Sequence, residues 1–201
     1  MQTTMQKIRV IPVVLMRGGI VVQSKSFRRY QALGNPQTIV ARLTNWYSDE
    51  LVYLDISRGK DLEQRRLDLN YQPRDHVLAI LQDISKHSFM PLTFGGGVAT
   101  IEDVYARLDN GADKVAINTQ AFVDPGFIER CAKEFGSQCL VVSIDAKESE
   151  SGHEVMIEGG RTPTGVSPVD WARQAQEFGA GEILLNSIDR DGRGQGYDIE
   201  L

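Results

Sequence analysis

Five times along this chain a short apolar run breaks, at its carboxyl end, into glycine and small polar side chains. The runs are ELVYLDIS at 50–57, MPLTFGGG at 90–97, DKVAINT at 113–119, CLVVSIDAK at 139–147 and the stretch GAGEILLNSIDRDGRGQGYD at 179–198. Each has strand length and strand composition. Between them lie segments with helical spacing of apolar residues, so strands and helices alternate. Such alternation means a parallel sheet with right-handed crossovers, an α/β fold. Functional-looking residues at the ends of at least five strands point to a barrel, because an open sheet concentrates them at one switch point. No GxGxxG follows the first strand, which argues against a dinucleotide-binding sheet.

Taken in order, Ile8 to Met16 reads as a strand buried on both faces, with Pro12 marking a bulge or a missing ladder bond. Gly18 and Gly19 open a long polar loop over 17–34, and Asn35-Pro36 starts a helix through about Tyr47. A second polar loop runs from Ser57 to Pro73, followed by a helix near 74–86. Thr100 caps a helix over 101–109. Asp124-Pro125 opens another that reaches Phe135, where Gly136 stops it. After strand five comes a polar excursion with Gly152, Gly159 and Gly160, and Ser167-Pro168 then starts a helix ending at Gly179.

With 201 residues and 41% hydrophobic content, the chain suffices for one domain, 1–201, with a real core. A net charge of −5 and the absence of a basic stripe exclude nucleic acid and membrane surfaces as expected partners. No apolar run approaches the roughly 20 residues that span a bilayer, and the N-terminus lacks a secretory apolar core, so a cytoplasmic protein is expected. Cys131 and Cys139 are expected as reduced thiols. His76, His87 and His153 form no triad, and no metal-ligand spacing occurs, so neither a metal nor a cofactor is expected.

The motifs FGGG (94–97), GADKVAINT (111–119), FGSQCLVVSIDAK (135–147) and 179–198 resemble the cyclase subunit of imidazole glycerol phosphate synthase, the HisF-type (β/α)8 TIM barrel. The resemblance runs from about Arg9 to the end of the chain. It implies a glutaminase partner, whose ammonia passes through the barrel to a phosphorylated ribosyl substrate and closes an imidazole ring. Asp145 then corresponds to a catalytic acid–base carboxylate. Gly97, Asn118 and Thr119 resemble a first phosphate clamp, where glycine backbone and a helix start can hold an anion. Asp191 and Gly192 resemble part of a second clamp. Arg9, Glu50, Lys114 and Glu182 correspond to the family's ammonia gate; read by spacing alone they are either a neutral ring on the barrel floor or four solvated side chains. Asp113 and Gln138 correspond to positions at the glutaminase interface.

Three departures stand out. The family's strand one reads IPCLD, with a second catalytic aspartate; here the text is IPVVL, with Leu15 in its place. Gln23 stands where the family has a lysine, with Lys25, Arg28 and Arg29 nearby as candidate partners for an anion. Eight strands also take about 250 residues, and only about six βα units are legible here, which predicts a fragment of a longer product or a defective copy. Leu15, Gly18-Gly19 and NSIDRDG resemble a narrower subgroup that serves acetamidino (amidine) modification of surface-polysaccharide sugars, with a glutaminase and an ATP-dependent sugar amidotransferase. The expectations are therefore a HisF-like subunit for amidine formation, a lyase of histidine biosynthesis, or a non-catalytic ammonia conduit.

Overall fold

The computed structural model describes residues 8–58, 77–150 and 152–201. Six parallel strands lie side by side in chain order: β1 (Val13–Arg17), β4 (Leu51–Asp55), β5 (Leu92–Gly95), β6 (Lys114–Ile117), β7 (Leu140–Ser149) and β10 (Glu182–Ser187). Helices α1 (Pro36–Asn45), α2 (Val77–Ser85), α3 (Ile101–Asp109), α4 (Thr119–Val123), α5 (Gly126–Phe135) and α6 (Pro168–Glu177) fall between them. This is a mixed α/β architecture with a mostly parallel sheet, of the (β/α)8 barrel type. The loop expected from Ser57 to Pro73 and the first residues of the helix expected at 74–86 lie outside the described residues, apart from Ser57 and Arg58.

The period-2 alternation of each strand divides its side chains between two surfaces. Outward residues pack under the helices. Val14, Met16, Leu51, Tyr53, Leu92 and Phe94 meet Val40 of α1 and Ile80, Leu81 and Ile84 of α2. Val115, Ile117, Leu140, Val142 and Ile144 meet Val104, Ile128, Cys131 and Trp171. Burial of this kind contributes about 25 cal/mol per Å² of apolar surface and dominates the fold's stability. Cys131 is fully buried and its thiol is pushed up to about 11 by that burial, so it is inert packing. The inward surface is left for polar chemistry.

Three expectations from the sequence need correction. Strand one begins only at Val13, because Pro12 cannot donate to the ladder; its carbonyl instead accepts from Val52 N–H at 3.0 Å. The segment 17–34 is not a loop but a hairpin of β2 (Ile20–Lys25), antiparallel to β1, and β3 (Arg29–Gly34), antiparallel to β2. Its Arg, Lys, Gln and Ser content hid the short run Ile20, Val21 and Val22, which is buried together with Ser24. The polar excursion after strand five is also a hairpin: β7 runs on to Ser149 and pairs with β8 (Gly152–Ile157), which pairs with β9 (Thr162–Pro163).

Helix starts follow local chemistry. Asn35 accepts from Gln37 N–H at 2.8 Å ahead of Pro36, and Thr100 with Asp103 forms a complete capping box on α3. No described helix is long and apolar enough to cross a membrane.

Candidate active site

The carboxyl ends of the parallel strands open into a cavity of about 730 Å³. Leu15, Asp55, Gly96, Gly97, Asn118, Thr119, Asp145, Asn186 and Asp191 all line it, so each of the six parallel strands brings at least one residue to it, from the strand or from the turn directly after it. The position of the cavity follows from the topology, because parallel strands share one carboxyl end.

Asp145 is the buried chemical group. It is 6% exposed, on the inward face of β7, and Asn186 stands opposite it in register on β10. Asn186 Nδ2 donates to its Oδ1 at 2.9 Å, and Asn118 Nδ2 donates to its Oδ2 at 3.0 Å. The Asn186 amide also lies 3.2 Å from Ser143 Oγ. Burial pushes the Asp145 carboxyl up to about 6; the two amides oppose that rise, and the nearby Asp191 charge adds to it. A carboxylate that titrates near neutrality suits proton transfer in either direction. Leu15 places a hydrocarbon wall in the same cavity, where it can neither accept nor donate a proton.

Asn118 therefore reaches the carboxylate itself, and its neighbour Thr119 lines the cavity beside it. The Thr119 hydroxyl accepts from Glu158 N–H at 3.0 Å and donates to Asn118 Oδ1 at 3.3 Å. Helix α4, which starts at Thr119, is only five residues long, so it adds little dipole to an anion there. Gly97 lies at the cavity wall beyond Gly96, whose φ of 111° and close approach to the Asp55 carbonyl exclude a side chain: a Cβ would stand 2.1 Å from that oxygen. Gly97, Asn118 and Thr119 are thus brought to one side of the cavity.

Asp191 and Gly192 lie in the loop after β10, and Asp191 lines the cavity. The Asp191 carboxylate accepts from Ser24 Oγ at 2.6 Å and from Phe27 N–H at 3.1 Å, and its carbonyl accepts from Ser26 N–H at 3.0 Å. They anchor the β2–β3 hairpin to the loop after β10. Gly192 packs so closely there that a Cβ would meet Ser24 O at 2.0 Å. Among the charged hairpin residues, Lys25, Arg28 and Arg29 are all exposed. The aromatic Phe27 and Tyr30, which the sequence reading passed over, line the cavity instead.

At the opposite, amino ends of the strands four charges close a ring. Arg9 pairs with Glu50 and, at 3.6 Å, with Glu182; Lys114 pairs with Glu50 at 2.9 Å and Glu182 at 2.7 Å. Every cation touches both anions. Burial opposes ionisation of Glu50, but hydrogen bonds from Lys114 and Arg9 outweigh it and hold the carboxyl below its ordinary range. Burial likewise opposes the Lys114 charge, and the two glutamates overcome it and raise its pKa. Between ring and cavity the inward face carries Val52, Thr93, Ala116 and Val141, all buried. Asp113 and Gln138 are exposed in the connections leading to β6 and β7; the Asp113 carboxylate accepts from Leu92 N–H at 2.8 Å, and Gln138 Nε2 donates to Phe135 O at 3.4 Å.

Residues outside the sequence-derived set also reach the site. Ser143 shares the inward face of β7 with Asp145, and Asn186 shares that of β10 with Glu182, relations that period-2 counting could have exposed. Arg58 and Arg161 both line the cavity and both donate to Glu158 O, at 2.9 and 3.0 Å. Nothing in their sequence neighbourhood marks that convergence. Among the described residues no three His, Cys, Asp or Glu side chains form a metal-ligating group.

A parallel α/β barrel scaffold with a buried carboxylate and a glycine turn at one end, and a closed charge ring at the other, defines the class of protein. Over residues 9–201 the chain matches the family described as Histidine biosynthesis protein. It is 42% identical over 197 residues to the putative imidazole glycerol phosphate synthase subunit hisF2 of Vibrio vulnificus, covering 98% of this chain and 68% of that protein. It is 44% identical over 193 residues to the imidazole glycerol phosphate synthase subunit HisF of Dehalococcoides mccartyi, covering 96% of this chain and 72% of that protein. The chain belongs to the histidine biosynthesis protein family.

Proposed function

We propose that this chain is the synthase subunit of an ammonia-transferring pair of the imidazole glycerol phosphate synthase type. It takes ammonia from a glutaminase through the charge ring and uses it at Asp145 on a phosphorylated substrate. The observation that carries the reading is the pairing of a closed, neutral ring of ions at one end of the strands with a buried carboxylate at the other. The distance suits it: Glu182 and Asn186 are four residues apart on one strand, about 13 Å. Exposed Trp46, Tyr47 and Phe89, in the connections that enter the strands from the ring side, give a partner subunit an apolar surface to cover.

The Leu15 wall directs the reading further, to amidine (acetamidino) modification of a surface-polysaccharide sugar. An ammonia nucleophile adds to an electrophilic carbon and sheds a proton, which the Asp145 carboxylate, ionised at neutral pH, accepts. One base suffices. Imidazole ring closure, by contrast, is served in the family by two carboxylates, and loss of a general acid or base costs about 100- to 10,000-fold. A sugar amidotransferase that activates the acceptor with ATP belongs with the amidine reading. The second reading, the histidine-pathway cyclase itself, is supported by the names of both relatives. A conduit that only passes ammonia on would use the ring but leave the buried carboxylate and glycine turn without work.

The test is ammonia-dependent turnover of the histidine-pathway ribotide by this chain beside Leu15→Asp. No turnover by the wild type with rescue by Leu15→Asp supports the diverted scaffold. Turnover with Leu15 in place makes the histidine cyclase the function. No turnover by either, with no binding of a ribosyl phosphate, leaves the conduit.

A further inference from the structure

Arg107 is a cation on the wrong side of a helix. Counting from Thr100, residues 104, 107 and 108 share the face of α3 that packs on the sheet, and Val104 is fully buried there. Arg107 is only 5% exposed. Burial pulls its pKa down, against the charges of Asp103 and Asp55. Filling such a place with a hydrocarbon side chain would ordinarily be neutral or stabilising, so a buried arginine here needs a reason beyond packing.

Its contacts supply one. Nη2 donates to the Gly96 carbonyl at 2.6 Å, and Nη1 donates to the Asp103 carbonyl at 2.8 Å, with the Asp103 carboxylate 3.7 Å away. That carboxylate in turn accepts from Ala99 and Thr100 N–H, each at 3.0 Å. One guanidinium thus ties the glycine turn to the start of α3. In a trans peptide the C=O and the next N–H point in opposite directions. Holding the Gly96 carbonyl back against Arg107 therefore turns the Gly97 N–H the other way, into the cavity that Gly96 and Gly97 line. Among the described residues that N–H donates to no backbone acceptor. The charge is close as well, since a Cβ on Gly97 would stand 3.9 Å from Nη2. The guanidinium Nε is buried with no partner, so part of its donor capacity stays unquenched behind the turn.

We propose that Arg107 is the positioning residue of the anion site at the Gly95-Gly96-Gly97 turn: it aims the Gly97 N–H at a phosphate and backs it with positive charge from outside the cavity. The inference rests on the reading that a phosphorylated substrate sits at this turn, and it adds a residue that never touches that substrate. A preorganised donor with a fixed charge behind it in a sheltered site contributes more to anion binding than an exposed lysine would.

Ribose 5-phosphate, titrated by calorimetry into the wild type, Arg107→Met and Arg107→Lys at pH 7.5, tests it, with circular dichroism and thermal unfolding on each variant. The expected result is wild-type binding, about tenfold weaker binding by folded Arg107→Met, and partial recovery in Arg107→Lys, which restores the charge but not both carbonyl bonds. Wild-type binding that Arg107→Met retains in full overturns the role of Arg107 while leaving the phosphate site standing. No binding by the folded wild type sinks the phosphate reading itself, and the inference with it. If Arg107→Met fails to fold, Arg107→Lys decides: unchanged affinity overturns the proposal, and a loss of about threefold or more supports it.

Discussion

Replacing Asp145 with asparagine should make the protein more stable at alkaline pH and slightly less stable in acid. Asp145 carries a carboxyl whose value rises from 3.8 to about 6 on folding, chiefly through burial. The folded state therefore binds its proton more tightly than the unfolded chain. Between those two values stability grows as pH falls, and above the higher one the full penalty of ionisation applies, about 3 kcal/mol. Asparagine never ionises and escapes that penalty. It also turns one carboxylate oxygen into an amide donor facing the amide of Asn186 or Asn118, so one of those hydrogen bonds must be lost or reversed, at about 1 kcal/mol. The net gain is about 2 kcal/mol at pH 8, a rise in Tm of about 4–8 °C for a chain of this size. At pH 3.5 both forms are neutral and the variant should be weaker by about 1 kcal/mol. Urea unfolding of both proteins across pH 3.5–8 reads the difference directly. A gap that stays constant with pH, or a variant less stable at pH 8, refutes a buried carboxylate under strain.

Other expectations concern the ends of the strands. Lys114→Met leaves Glu50 and Glu182 with Arg9 alone and should lower stability by about 2 kcal/mol at pH 7, less than a fully buried pair because Glu182 is partly exposed. That loss should shrink on acidification, since the contribution of Glu50, whose pKa is lowered, exists above 4.5 and disappears as its carboxylate protonates; urea curves at pH 7 and 4 measure it. Gly192→Ala drives a methyl into the Ser24 carbonyl from a left-handed backbone, φ 63°, and should cost about 2 kcal/mol or more and raise hydrogen exchange in the 20–34 hairpin. Thr100→Ala removes one half of the capping box and should cost about 1 kcal/mol in thermal unfolding.

How much of this was legible in the sequence depended on the length scale of the interaction. Strands announced themselves because burial on the outward face demands Val, Ile, Leu and Phe at alternate positions, and Asp145 and the glycine turn followed from where those runs stop. The two hairpins were missed because their hydrogen bonds are local but their composition is polar: Gln23, Ser24 and Lys25 look like a loop until Gln31, Tyr30 and Arg29 of β3 are there to pair with them. The partners of Asp145 were harder. Asn118 lies 27 residues away and Asn186 lies 41 away, and only the register of β6, β7 and β10 makes them neighbours. The motif around Asp191 gave no sign of its bonds to Ser24 and Phe27, 167 and 164 residues away in the chain.

The environment of Asp145 also bears on which reaction the scaffold supports. Both of its oxygens are held by neutral amides and neither by a cation, so its affinity for a proton is set chiefly by burial, opposed by those amides and aided by the Asp191 charge, and by whatever charge enters the cavity. A phosphate nearby would raise that affinity further, and a cationic adduct of ammonia would lower it. Such a group is a base that gives its proton back once the positive charge leaves, which is the sequence addition and elimination require. It can perform these steps in turn. It cannot stand on both faces of a substrate at once, and the Leu15 wall offers no second group to do so. Two coupled carboxylates would also split their titration into separated steps, giving a bell-shaped pH–rate profile. With Leu15 in place, the rate of a base-assisted amination should instead rise in a single step through about pH 6 and then level, and Leu15→Asp should add the second limb. A wild-type profile that already falls again at alkaline pH, with the substrate's own ionisation accounted for, would mean that another acid works beside Asp145.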